Sequence, residues 1–457
     1  MPQPRAANLK KAAISFSVLC FLLFSFTGCS KKEETIGKKT LTIWHWMTDR
    51  EQPLQELAGK YEQDTGVKVN FELYAPSEAY AQKVRAAAQG NNLPDIFSVL
   101  GEKYDFSSFV KAGHISDLTY YMKENNGEWE KKFYPKALAV NEFKEGNTYG
   151  VQPGIYGIPI DIMTIMMLYN KDLFKELGLN PNKPPLTWED FIDIGKKLKD
   201  AKKQGLVSGW GEIWMIDCFA NNLAFNLMGK DKVLATIRGE IPYTDPGWIK
   251  VFALFKEMQD AGLLYNGLVS MVNKTAEQAF ANGRAVFAFN GSWCVNVYKG
   301  MNPNLNYAAM FLPEVSGKPE GDGLASNSQS HKFPLSVWGG AGSSFMVNAK
   351  SQNKEEAIKF LKWLTEKEQQ VFLSEATNNL PSNKEAAGKL SPILAQFSNA
   401  MEFSTHPRVW EVSEFSQVIE AFDKGIQSII IGEKTPEAVA REVQKIKERE
   451  LAKKRAR

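Results

Sequence analysis

The sequence predicts an α/β fold in two lobes, built on parallel sheet with covered faces. Two observations carry that reading. Strand and helix signals alternate from Thr40 onward, and 429 residues remain once an N-terminal leader is set aside, more than one hydrophobic core usually supports.

The leader comes first. Arg5, Lys10 and Lys11 form a basic region, Ala12 to Phe26 an apolar one, and Thr27 and Gly28 are small residues before Cys29. The apolar run falls short of the ~20 residues that span a bilayer, so residues 1–28 are expected to be an export signal. Phe26–Thr27–Gly28–Cys29 resembles a bacterial lipobox, with Phe26 in place of the usual Leu, and makes Cys29 the expected lipidated N-terminus. An ordinary signal followed by a chance cysteine is the alternative. SKKEETIGKK then reads as a flexible stretch, giving a tether over 29–39.

The body opens with a strand at Leu41–Trp44. Leu54, Leu57, Ala58 and Tyr61 follow at helical spacing, and Gly66 ends that helix. Val67, Val69, Phe71 and Leu73 alternate with polar residues as a half-buried strand. Tyr80, Val84, Ala87 and Ala88 mark a second helix ending at Gly90, and Asp95–Leu100 is another apolar strand. This βαβαβ order predicts parallel sheet. Further on, Ala276–Asn282 reads as helix and Ala285–Phe289 as a strand running out into Asn290, Gly291, Ser292 and Trp293. PNKPP (181–185) and GKPEGDG (317–323) read as surface turns. The final VQKIKERELAKKRAR is expected to be a solvated charged helix without an apolar face.

Removing the leader takes away three basic side chains and no acidic ones, so the net charge falls from +3 to 0. That argues against a nucleic-acid partner, which needs a basic face. Cys20 leaves with the leader. Cys218 and Cys294 then remain beside Cys29, too few for a disulfide framework or a zinc site, and the sequence does not say whether they pair. No metal site and no cofactor are expected.

Ligands of open α/β sheets sit beyond the carboxyl ends of the strands. Trp44, His45 and Trp46 lie at such an end, as do Leu100, Gly101 and Glu102, and as does Trp293. Aromatics therefore collect where a ligand is expected.

"LPDIF" (93–97), "GIPIDIMTIMMLYNKDLFKELGL" (157–179), "LTWEDF" (186–191), "AFANGRAVFAFNGSW" (279–293) and "EEAIKFLKWLTEKEQQ" (355–370) occur in that order. Together they resemble the signatures of the carbohydrate-type extracellular solute-binding proteins of ABC importers, the maltose-binding-protein-like family 1. The resemblance spans essentially all of the mature chain. It implies a two-lobed, periplasmic-binding-protein-like fold of type II, each lobe a mainly parallel sheet flanked by helices. One lobe would hold 40–157 and 312–365, the other 158–311 and 366–457, with crossings near 157–161, 307–313 and 365–367. "IYGIPI" and "MFLPEV" independently place an X-Pro step after an apolar run, which suits an extended connector.

The resemblance implies a monomeric binder, lipid-anchored outside the cytoplasm, that captures a sugar and hands it to importer transmembrane subunits. A pyranose has apolar C–H faces and a hydroxyl rim, so its site needs rigid rings and a few placed polar groups. Trp44, Trp46, Trp214, Trp293 and Trp338 are the ring candidates. Glu102, Asp161 and Asp217 are the anionic acceptors, because carboxylates take strong hydrogen bonds from hydroxyls, and His45 and Asn290 are neutral partners. The family also draws a ring from the region of Trp410, beside Arg408. Gly339 and Gly340 in "VWGGAG" would let backbone N–H groups approach a ligand, or else serve a turn; that loop lacks the spacing and lysine of a phosphate loop. Trp44 has the alternative of an ordinary core residue, His45 that of a hydrogen-bonded scaffold, and Trp293 that of a plug on a lobe surface.

A glycoside hydrolase would need two carboxyl groups about 5–9.5 Å apart, one with a raised pKa. No such pair is marked, and no G-x-S-x-G elbow is present, so no enzyme is expected. Glycerol phosphate stays open as a cargo through Arg50 and Lys103, whereas polyamine and iron sites would need clusters that the sequence does not mark.

Overall fold

A computed structural model describes residues 39–455 apart from residue 102, residues 316–335 and residue 411, and without the side chain of residue 389. The expected leader, Cys29, all but the end of the tether, and Glu102 therefore lie outside the described residues.

The chain starts with β1 (Thr40–His45), α1 (Glu51–Thr65), β2 (Lys68–Leu73), α2 (Ser77–Gln89) and β3 (Ile96–Phe97). β1 runs parallel to β2 over six residue pairs, and Ile43 pairs in parallel with Ile96 of β3. Leu54, Leu57, Ala58 and Tyr61 of α1 are buried, the single apolar stripe that their spacing predicts. The helix stops where Gly66 takes φ 75°, a left-handed turn that side-chain-bearing residues avoid.

The sheet continues through two long strands. Its order is β2, β1, β3, then Val337–Val347, Ile158–Asn170, Phe287–Gly291 and Leu206–Val207. Every antiparallel pair in it involves one of the two long strands; the remaining pairs are parallel. Side chains alternate across a strand, so each half has a core on each face. In the first half, Leu41, Ile43, Phe71 and Phe345 pack on one side and Tyr80, Phe97 and Met346 on the other. In the second, Ile165, Met167 and Phe289 face one way and Ile162, Met166, Leu168 and Ala288 the other.

The chain passes between these cores along the strands themselves. Ile160 belongs to the first half and Ile162 to the second. Trp338 packs in the second half and Phe345 in the first. The passage expected near 307–313 is displaced: Met310, Leu312 and Val315 remain in the second-half core, and Val337–Val347 makes the return. The passage expected near 365–367 also moves. The helix Lys367–Thr377 packs on α1 and contributes Leu373 to the first core, and only Leu380 joins the second.

The C-terminal helix, Pro436–Arg455, corrects another expectation. Val439, Ala440 and Val443 are fully buried, Ile446 packs beside them, and Lys447 is buried against Glu414. The stripe at i, i+4, i+7 is apolar enough to dock the helix on Pro246–Ala261 and Ser416–Ile430. Its basic last turn, Lys453 to Arg455, continues past the docked part. Among the described residues no helix is long and apolar enough to cross a membrane. Cys218 and Cys294 are buried and form no disulfide.

Candidate ligand-binding site

The second half offers a fixed pair of indoles. Trp214 begins the helix Ile213–Met228 and Trp293 follows the strand Phe287–Gly291; their ring centroids lie 6.1 Å apart at 46°. Trp214 is 41% exposed, a large apolar surface left open to solvent. Its Nε1 donates to Glu212 Oε2 at 3.2 Å, while Glu212 Oε1 accepts from the backbone N of Asn273 at 2.7 Å.

Trp293 is held from two sides. Its Nε1 donates to Glu277 Oε1 at 3.2 Å. Its six-membered ring lies so close over Gly291 that a Cβ there would stand 1.9 Å from it. The same Glu277 oxygen accepts from Asn273 Nδ2 at 2.9 Å and from Asn290 Nδ2 at 3.1 Å. Burial pushes the Glu277 carboxyl above its usual range, and these three donors act against that push. Asn290 is accordingly an internal brace, 2% exposed, rather than an open partner. Sequence reasoning passed over Glu277. Its one sequence signal is the i, i+4 spacing to Asn273 on the helix Asn273–Ala281.

On the first half, period two separates neighbours. Trp44 of β1 and Trp46, just past its end, fall on one side, where Trp46 packs against Tyr80 at 5.3 Å and Trp44 against Tyr74 at 5.3 Å, with the Lys83 ammonium 4.2 Å above the Trp44 ring. His45 points the opposite way. It is fully buried, edge-on to Phe71, with Nε2 2.8 Å from Glu51 Oε2. Burial holds its pKa below the usual value against the pull of Glu51. The expectation of His45 as a ligand partner is thus corrected by strand parity.

Asp161 is not an open acceptor either. Arg50 Nη2 sits 2.7 Å from its Oδ2, and Ser343 donates to Oδ1 from its backbone N at 2.6 Å and from its hydroxyl at 2.5 Å. Arg50 Nη1 also reaches Ser343 Oγ at 2.9 Å. Next to it, Asp49 Oδ2 accepts from Asn379 Nδ2 at 2.9 Å. Asp49 and Arg50, directly before α1, thereby touch all three passages between the halves.

Trp338 and Trp410 are placed in the core, 6% and 7% exposed, with centroids 6.2 Å apart. Trp410 also packs on Phe225 and donates to Thr405 Oγ1 at 2.7 Å. Gly339 and Gly340 are strand residues paired with Thr164 and Met163, without positive φ; their missing side chains admit close packing instead. A Cβ on Gly339 would meet Met163 O at 2.8 Å and one on Gly340 would meet Val140 at 2.9 Å.

Further contacts join the halves. Arg408 donates to the carbonyls of Val99 at 2.8 Å and Gly101 at 2.8 Å, just past β3. The Tyr149 hydroxyl hydrogen-bonds Ser413 Oγ. Lys103 is buried with Nζ on the carbonyls of Val140 and Glu142, at 3.3 and 2.5 Å; burial, aided by Arg408, pulls its pKa down to about 7. Asp217, one helical turn beyond Trp214, accepts from Asn221 Nδ2 at 2.7 Å and lines a cavity of about 40 Å³ with Trp410 and Ser413. Of the expected residues, then, Trp214 and Trp293 meet each other with Asn290 behind them, and Asp217 and Trp410 line one cavity. Among the described residues no three His, Cys, Asp or Glu side chains gather in a metal-binding arrangement.

Residues 56–402 match the family model described as bacterial extracellular solute-binding protein. A galactooligosaccharide-binding protein of Bacillus subtilis (strain 168) is 22% identical over 439 residues, covering 93% of this chain and 94% of that protein. Among solved structures, one concerned with xylan utilization by the thermophile Caldanaerobius polysaccharolyticus aligns with a TM-score of 0.73 at 21% identity, covering 89% of this chain and 99% of the other. A chitin oligosaccharide binding protein aligns with a TM-score of 0.72 at 24% identity, covering 89% and 98%. These likenesses establish the fold as two-lobed, of type II.

Proposed function

Because the chain belongs to the bacterial extracellular solute-binding protein family, we propose that it captures a mono- or oligosaccharide between its lobes and delivers it, unaltered, to the membrane subunits of an ABC importer. The family is one of binders, not enzymes, and works outside the cytoplasm.

The observation that carries the sugar reading is the Trp214–Trp293 pair. Two indoles inclined at 46°, with the half-buried Glu212 carboxylate beside the exposed Trp214, bring apolar faces and a strong acceptor together, the combination that a pyranose requires. The names of relatives agree: a galactooligosaccharide-binding protein and a multiple sugar-binding protein are among them. A phosphate cargo has less support, since Arg50 is engaged by Asp161 and Ser343, and Lys103 by backbone carbonyls.

In this reading one lobe takes about residues 40–160 and 345–377 and the other the remainder, as the core memberships suggest. Sugar that touches both lobes favours the closed arrangement by its additional contacts there. Trp46 is the first-lobe ring at the strand end, with Trp44 behind it. Glu102, beyond β3, is a further acceptor, and Asp217 another on the opposite lobe. The lobes close within one chain, so the protein acts as a monomer. Its N-terminus is held at the membrane by lipid on Cys29.

A thermal-shift screen of the mature protein against sugars, polyamines and phosphodiesters, followed by calorimetry, tests the cargo. Trp293→Ala should weaken sugar binding at least ~10-fold with the melting temperature kept; unchanged affinity removes Trp293 from the site. Radiolabelled palmitate should enter the full chain and not its Cys29→Ala variant.

A further inference from the structure

Helix Ile213–Met228 places Trp214, Asp217 and Asn221 at i, i+3 and i+7, on one face. Trp214 stands at the open end with Trp293. At the other end lies the cavity of about 40 Å³, with Asp217, Asn221 and Ser413 among its polar walls and Ile237, Trp248 and Phe422 among its apolar ones. Its buried acid is already satisfied: Glu414 accepts from Lys447 at 2.6 and 2.8 Å and from the Tyr243 hydroxyl at 2.9 Å. The remaining polar walls are neutral groups plus Asp217. Tyr149, from the first-lobe side, bonds to Ser413 at this wall.

Size decides what the cavity can take. One water needs roughly 10–15 Å³ of such space, whereas a cavity that admits benzene measures about 150 Å³. At about 40 Å³ a sugar ring does not fit, but one small substituent does. Apolar walls beside a carboxylate, an amide and a hydroxyl suit a methylene that carries one hydroxyl.

We propose that this cavity is a subsite for the exocyclic hydroxymethyl group of a hexopyranose, so that the protein selects hexose over pentose units. The inference rests on the carbohydrate reading above. The ring of the sugar lies along the Trp214–Asp217 face, its hydroxymethyl group enters beside Asn221 and Ser413, and Tyr149 covers the group when the lobes meet. Tyr149 is thereby a specificity residue supplied from the lobe opposite the pocket.

Glucose and xylose, galactose and L-arabinose, and cellobiose and xylobiose are pairs that differ only by such groups. Calorimetry on the mature protein should give the hexose members at least ~10-fold tighter binding, the discrimination typical of one small group in a fitted pocket. Ser413→Leu, which fills the cavity, should bring the hexose-to-pentose ratio towards one by weakening the hexose alone. Saturation-transfer NMR on the unmodified protein should give the C6 protons of the bound hexose the strongest signal. A pentose that binds as tightly as its hexose partner, or C6 protons among the weakest, overturns the subsite while leaving the carbohydrate reading in place. Binding of neither series, with a non-sugar hit in the same screen, overturns both.

Discussion

Replacing Asp161 by Ala tests whether the ion pair at the passages is structural. Its carboxylate takes Arg50 Nη2 at 2.7 Å and two donors of Ser343 at 2.6 and 2.5 Å. The two charged side chains are 11% and 9% exposed. Truncation leaves Arg50 with Ser343 Oγ, Met47 Sδ and, at 3.4 Å from Nε, the 31%-exposed carboxylate of Asp49, a longer and more solvated contact than the 2.7 Å pair it loses. Removing one partner of a buried pair generally costs about 3–5 kcal/mol, because the other charge stays desolvated. Urea unfolding followed by tryptophan fluorescence should show that loss as a lower midpoint at constant slope. The double variant Arg50→Met/Asp161→Ala should recover most of the loss, since it removes both members of the buried pair and leaves only the 31%-exposed Asp49, to which Asn379 still donates. A loss of under about 1 kcal/mol in the single variant, the size of an exposed pair, refutes the reasoning. So does a double variant no better than the single.

Three further outcomes follow from the geometry. Gly291→Ala puts a methyl where the Trp293 ring now lies; calorimetry should show sugar affinity reduced at least ~10-fold, and near-UV circular dichroism a changed Trp214–Trp293 signal. Lys103 has a folded pKa of about 7, below its unfolded value. The unfolded chain therefore holds more protons between about pH 7 and 10.5, and this site makes stability rise with pH over that window; Lys103→Met should flatten that part of the stability–pH curve. Lys447→Ala leaves Glu414 buried against Tyr243 without its cation and should cost about 3–5 kcal/mol in urea unfolding, whereas a solvated helix would lose almost nothing.

The alternation of apolar runs made the βαβαβ start legible, because Leu54, Leu57, Ala58 and Tyr61 fall on one face whatever surrounds them. The faces within the aromatic cluster were less legible. Trp44, His45 and Trp46 look like one group in the chain, and strand parity sends the middle residue into the core. Trp338 and Trp410 share that fate through long-range packing that local spacing does not encode. The passages were misplaced where a proline step suggested a connector. Leu312 follows such a run yet stays in the second core, since the return is made by a strand that pairs on both sides. The terminal helix was misjudged because Lys447 and Glu450 interrupt its apolar stripe as read in sequence, while Glu414, far away in the chain, neutralises the lysine. Glu277 escaped notice for a similar reason: two of its three donors sit 13 and 16 residues downstream.

The pairing of β3 with Met346 and Val347 has a consequence for biosynthesis. Phe97 leaves the ribosome 249 residues ahead of Met346. At about 5–20 residues per second the inner edge of that sheet stays without its neighbour for roughly 12–50 s. Throughout that interval the first parallel strands lack the partner that joins them to the rest of the sheet, so their ladder is completed only after most of the polypeptide has been synthesised.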